Sequence, residues 1–171
     1  MRPIDLKAIP LFSGLSQEEL GRLNIIFTPF SLPQDEVVIR EGESGDEMYI
    51  LIKGRVRITR QMLLEGCHLA VPGLESSRKV LATLDGRSFP MFGEVALLDN
   101  DIRSATVTTL EPCTFLKTNR EQFFRLVAQD PALGCLLLTA LGRKLANLLR
   151  RNNSELIKVT TALALTLSRQ G

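Results

Sequence analysis

The chain has 171 residues, of which 44% are hydrophobic and 23% charged, a balance that excludes a disordered polypeptide and suits one folded core. Its 21 basic and 19 acidic residues nearly cancel at a net charge of +2, so composition supplies no general field for nucleic acid or an anionic membrane. No apolar run reads as a membrane span or signal peptide, and Cys67, Cys113 and Cys135, without a Cys-x-x-Cys pair, suit reduced, mostly buried thiols in a cytoplasm.

In chain order, residues 1–35 read as a helical segment, with the helical pattern carried to about Leu32. Ser16 and Glu19 form a capping box, in which a hydroxyl and a carboxylate satisfy the amides orphaned at a helix start. Leu20, Leu23, Ile26 and Phe27 follow at helical spacing. Residues 36–118 read as strands. Val37-Val38-Ile39, Met48 to Ile52, Val56 to Thr59, Val80 to Leu84, Ser104 to Thr109 and Cys113 to Lys117 are short and rich in β-branched residues. Gly42, Gly45 and Gly54 mark tight turns with positive φ. Many short strands parted by glycines predict a barrel or jelly roll rather than a parallel sheet. Residues 61–79 break this rhythm as a long hairpin excursion. His68, the one histidine, sits beside Cys67, and two adjacent residues make no zinc site. Residues 119–171 return to helix. Thr118 and Glu121 read as a second capping box, and Asp130-Pro131 supplies an N-cap and an N1 proline for a long leucine-rich helix. The predicted fold class is α+β: one domain over 1–171, a β-roll flanked by an N-terminal helix and C-terminal helices.

The segment 92–107 carries the chemistry. Gly93 allows close backbone approach, and Glu94-Val95-Ala96-Leu97-Leu98 starts a helical turn whose free N–H groups suit a phosphate. Arg103 ends the polar loop that follows, where a planar guanidinium can meet two phosphate oxygens. Glu94 suits a neutral hydroxyl donor such as a ribose 2′-OH. Read without a family, the same residues are better described as a surface ion pair beside a turn glycine.

The run Phe92-Gly93-Glu94-Val95-Ala96-Leu97, a loop, then Arg103-Ser104-Ala105-Thr106-Val107 resembles the phosphate-binding cassette of cyclic-nucleotide-binding domains. That family includes catabolite activator proteins and protein kinase A regulatory subunits. Leu11-Phe12, Val38 to Asp46 and Tyr49 to Val56 extend the resemblance along most of the chain. It implies that Glu94 accepts from the 2′-OH and that Arg103 holds the exocyclic phosphate oxygens. Backbone near Gly93, Val95, Ala96 and Ala105 then completes the cradle. Ser104 implies a modest tilt toward cAMP over cGMP. Leu145, Leu148 and Leu149 are the implied base-capping candidates, with a plain core or dimer role as the alternative. The family's pattern is departed from at 86–91 and 61–79, both longer than usual. The implied ligand is cAMP or cGMP, with no cofactor, no metal and no catalytic residue.

In the last helix Leu138, Leu141, Leu145 and Leu148 form a coiled-coil seam, which breaks or stutters at Asn152-Asn153-Ser154 and resumes at Leu156, Val159, Leu163 and Leu167. A homodimer helix and a helix packed on its own roll stand level as readings. Arg143, Lys144, Arg150 and Arg151 read as a solvated face rather than a DNA footprint. With no helix-turn-helix, kinase, cyclase or channel segment in the sequence, the expectation is a stand-alone sensor that moves its C-terminal helix to signal to a partner protein. The competing expectations are a dimerisation module with a vestigial pocket, and the sensor half of a DNA-binding regulator.

Overall fold

A computed structural model of the chain describes residues 4–61, 78–99 and 101–168. After two 3-10 turns, Leu6–Ala8 and Pro10–Phe12, the chain forms α1 (Gln17–Ile26), β1 (Thr28–Leu32), β2 (Val37–Ile39), β3 (Glu47–Lys53), β4 (Arg55–Gln61) and β5 (Arg78–Asp85). A third 3-10 turn, Gly86–Ser88, leads to β6 (Met91–Phe92), α2 (Glu94–Asp99), β7 (Thr106–Thr109), β8 (Cys113–Asn119), α3 (Arg120–Gln129) and α4 (Pro131–Ser168). The strands make two four-stranded antiparallel sheets, ordered β1-β8-β3-β6 and β2-β7-β4-β5. This is the predicted β-roll with helices at both ends.

The continuous apolar run of β3 follows from burial on both faces. Tyr49 and Leu51 point between the sheets, where they meet Ile39, Val56, Phe92, Val107 and Phe115. Met48 and Ile50 point the other way, into a cluster with Leu23, Leu97, Phe123, Leu133, Leu137 and Leu141. β8 divides its residues likewise, with Phe115 inside the roll and Leu116 against the helices. One sheet therefore separates two apolar layers, and the helices gather on its outer face.

Several local expectations need correction. The helical pattern stops at Ile26, and Thr28–Leu32 is an edge strand paired with Cys113 to Lys117, so the roll begins before residue 36. Pro29 lacks the N–H a helix requires but is tolerated at a sheet edge. The cap of α3 is Asn119, which accepts from the Gln122 N–H at 2.9 Å, and Thr118 belongs to β8 with its hydroxyl buried and unpartnered. Gly42 and Gly54 have positive φ as expected, but Gly45 does not; space, not conformation, requires glycine there. Strand β7 starts at Thr106, and Ser104 and Ala105 form a bend before it. Cys113 is buried and Cys135 is exposed, whereas Cys67, His68 and the excursion at 62–77 lie outside the described residues. The ends of that excursion do close as a hairpin, with Gln61 paired to Arg78.

The Ser16–Glu19 capping box is present in both directions, and Asp130 Oδ1 accepts from the Leu133 N–H at 3.1 Å. The long helix α4 runs without a break through Asn152-Asn153-Ser154, where the Ser154 hydroxyl donates to the Arg150 carbonyl. By length and apolar content α4 could cross a membrane. Its first half instead sends Leu133, Leu137 and Leu141 into the core, with Leu138 packed half-buried beside them. Beyond Lys144 the apolar residues Leu148, Leu149, Leu156, Ile157, Val159, Leu165 and Leu167 are exposed. The predicted seam is thus split between the domain's own core and an uncovered distal half.

Leu141 is 1% exposed, so Leu141→Ala is expected to destabilise the chain by about 2–5 kcal/mol in urea unfolding. A loss under about 0.5 kcal/mol, the scale of an ordinary surface change, would remove α4 from the core.

Candidate functional site

The turn between β2 and β3 and the loop before β7 are stitched together by backbone hydrogen bonds. Gly42 N–H donates to Arg103 O and Arg103 N–H donates to Glu43 O, both at 2.9 Å. Ser44 and Ile102 form an isolated bridge beside them. The Thr106 hydroxyl accepts from the Glu41 N–H at 3.1 Å and fixes the other side of the turn. With the backbone held this way, the Arg103 side chain runs into the molecule beside Gly45.

Arg103 is 6% exposed. Its Nη1 donates to Glu47 O at 2.8 Å and to Gly93 O at 3.4 Å, and its Nη2 meets the Glu47 carboxylate at 3.2 Å. Lys117 Nζ lies 3.8 Å from the second oxygen of the same carboxylate. Two cations therefore share one acid, and the half-exposed end of this cluster favours a further anion. A Cβ on Gly45 would stand 2.6 Å from Arg103 Nε, and one on Gly93 would stand 2.7 Å from Glu47 O. Gly93 also has φ +81°, which side-chain-bearing residues rarely adopt. Both glycines are required by the seat of this guanidinium.

The guanidinium forms the floor of a cleft of about 220 Å³ lined by Val37, Val38, Ile39, Glu43, Tyr49 and Arg103 among others. Burial, and after it the nearby Glu47 charge, pushes the Tyr49 hydroxyl up to about 12. The phenol stays neutral, a stacking surface rather than a charge.

β6 ends at Phe92, Gly93 links it to the next element, and α2 begins at Glu94. Leu97 N–H reaches back to Gly93 O at 3.3 Å, so the amides of 94–96 precede the first intrahelical bond. Ala96 and Leu97 are buried beneath the turn and Val95 is exposed. Glu94 is 4% exposed, and its carboxylate does not line the cleft: it lies 2.8 Å from Lys144 Nζ of α4. Lys144 also donates to Met91 O. Burial lowers the Lys144 ammonium from its ordinary value, opposed by the Glu94 charge.

The structure thus brings Gly93 and Arg103 into contact and turns Glu94 toward the long helix. Ser104 is exposed and Ala105 half-buried in the bend after Arg103, and neither lines the cleft. Leu145 is half-buried, Leu148 and Leu149 are exposed, and none of the three lines the cleft. Sequence reasoning missed Glu47 and Lys144. Glu47 follows three other acidic residues in one turn, and nothing in the spacing singles it out. Lys144 was grouped with a solvated basic face. Its place three residues after buried Leu141 was the available signal, because that spacing keeps it on the core side of the helix.

The family model of the cyclic nucleotide-binding domain matches residues 29–130. The chain is 30% identical over 146 residues to the CRP-like cAMP-activated global transcriptional regulator of Mycobacterium tuberculosis, covering 85% of this chain and 58% of that protein. It is 30% identical over 121 residues to the cAMP-dependent protein kinase regulatory subunit of Dictyostelium discoideum, covering 71% of this chain and 34% of that one. The crystal structure of Thermus thermophilus catabolite activator protein superposes with a TM-score of 0.72 at 29% identity, over 88% of this chain and 63% of that one. The chain therefore spans less than two thirds of each of these relatives.

Gly45→Ala forces the guanidinium out of its seat and is expected to cost about 1–3 kcal/mol of stability, as overpacking does. Gly21→Ala is the control, since nothing lies within 4 Å of a Cβ there. Equal urea midpoints for both variants would contradict the close fit at Gly45.

Proposed function

The chain belongs to the cyclic nucleotide-binding domain family, and from that premise we propose that its cleft takes a 3′,5′-cyclic purine nucleotide, cAMP in preference to cGMP, as a signal rather than a substrate. The observation that carries this reading is Arg103: a guanidinium 94% hidden yet exposed at a cleft floor, sharing one carboxylate with Lys117. A buried cation is costly unless paired, so its arrangement at the base of an open cleft fits a phosphate receptor. The exocyclic oxygens take the place on Nη2 now filled by Glu47, and the backbone of Gly93, Val95, Ala96 and Ala105 closes around them. As the segment 92–107 closes over the ligand, Glu94 keeps one oxygen on Lys144 and brings the other to the ribose 2′-OH. Ser104, exposed in the bend beside Arg103, is the group that meets the purine edge.

Signalling follows from the same carboxylate. Lys144 joins Glu94 to α4, so a ligand that engages Glu94 alters the hold of α4 on the roll. The relatives named cAMP-activated and cAMP-dependent support this choice of ligand. We assign the uncovered distal half of α4, with Leu156, Val159 and Leu167, to a second copy of the chain, and the moving helix to a partner protein. Leu145, Leu148 and Leu149 cap the base only after α4 shifts toward the cleft.

Calorimetric titration with cAMP and cGMP tests the reading. Wild type is expected to bind cAMP more tightly, and Arg103→Ala to weaken it by about 3–5 kcal/mol, the cost of stripping one partner from a buried pair and at least a hundredfold. Unchanged affinity in Arg103→Ala would overturn the phosphate assignment.

A further inference from the structure

Arg120 opens α3 and lies outside the cleft, where it touches the end of α2, a ring of its own helix and the backbone just before β3. Its Nη1 donates to the Leu97 and Leu98 carbonyls, each at 2.6 Å, at the end of α2. Its guanidinium carbon lies 4.8 Å from the ring centroid of Phe124, one turn along α3. Its backbone N–H donates to Asp46 O at 3.1 Å, in the residue before Glu47.

A six-residue helix leaves its last carbonyls without intrahelical donors, and a cation at that end also suits the helix dipole. Arg120 satisfies both needs from another element. Stacking on Phe124 fixes the plane of the guanidinium, so the fork cannot drift with a flexible side chain. The chain leaving α2 reaches Arg103 within four residues of Asp99, and the direction in which α2 ends therefore sets where that loop begins. On the far side, α3 packs Phe123 and Leu126 into the same cluster as Leu133 and Leu137 of α4.

We propose that Arg120 is a positioning residue for the binding segment. It locks the end of α2 to the start of α3 and to the backbone beside Glu47, so a displacement of α2 is carried into α3 and α4 through a polar clamp as well as through packing. In its bearing on nucleotide affinity this rests on the cyclic-nucleotide reading of the cleft; its hold on α2 does not.

The test uses the full chain as wild type, Arg120→Ala and Arg120→Lys, with amide hydrogen exchange in the absence of nucleotide and calorimetry with cAMP. In Arg120→Ala the amides of Leu97 to Asp99 are expected to exchange about tenfold faster while β3 and β8 keep their protection, and cAMP affinity falls about tenfold, the scale of one charge-assisted hydrogen bond. Arg120→Lys restores part of both, since an ammonium still reaches a carbonyl but has no fork to stack. Unchanged exchange at 97–99, or loosening spread equally over β3 and β8, overturns the clamp. Wild type that takes up no cAMP overturns the cyclic-nucleotide reading, while the ligand-free exchange still decides the role of Arg120.

Discussion

The buried guanidinium of Arg103 is the constraint on which the rest of the site depends. An arginine cannot shed its charge in a protein, so a hidden one must find acceptors on every side. Here Glu47 supplies a carbonyl and a carboxylate, and the Gly93 carbonyl lies next to the same nitrogen. Gly45 has no side chain because one would occupy the space of Nε, and Gly93 has none because one would collide with the Glu47 backbone. The turn at 42–44 and the loop at 101–103 bond to each other through Arg103's own N–H and C=O. Residues scattered from 42 to 106 thereby serve one side chain.

A second buried charge ties this site to the helices. Glu94 begins the short helix that follows Gly93, and its partner Lys144 comes from α4, 50 residues later in the chain. Neither group is free to leave alone, since the remaining charge would be stranded in low dielectric. The sheet between the two apolar layers gives this pair its leverage: Met48 and Ile50 face the helices while Tyr49 and Leu51 face the roll, so any shift of α4 is felt on the back of the strand that Glu47 begins. The apolar core holds α4 only as far as Leu141, and the ion pair at Lys144 is the last tie the described residues show between α4 and the roll.

Much of the architecture was legible in the sequence because local signals agreed with the tertiary outcome. Short β-branched runs became strands, Ser16–Glu19 capped α1, and Asp130-Pro131 opened α4. The segment 92–107 was legible because a glycine, a short helix start and an arginine at the end of a polar loop form a compact pattern in one stretch. Glu47 and Lys144 were not, since each gains its role only when β3 and α4 are folded against that stretch. Phe27 to Leu32 misled because apolar residues continue past Ile26, although Pro29 and Pro33 argue for extended chain. Thr118 had the right chemistry for a cap and the wrong position: pairing with Met48 across the sheet keeps it in β8, and Asn119 takes the cap. The leucines of α4 gave the helix but not its division, because a regular stripe looks the same whether its partner is the domain itself or another surface.

The central claim is that the Arg103 guanidinium exchanges the Glu47 carboxylate for a nucleotide phosphate. Nitrogen-edited NMR of arginine side chains reads this directly, because a guanidinium so deeply buried exchanges its Nε–H slowly enough to be observed. Titrating cAMP into the ligand-free protein is predicted to shift the Arg103 Nε–H resonance, with the shift saturating when the cleft is filled. Saturating cAMP that leaves the Arg103 resonance unmoved would contradict the account.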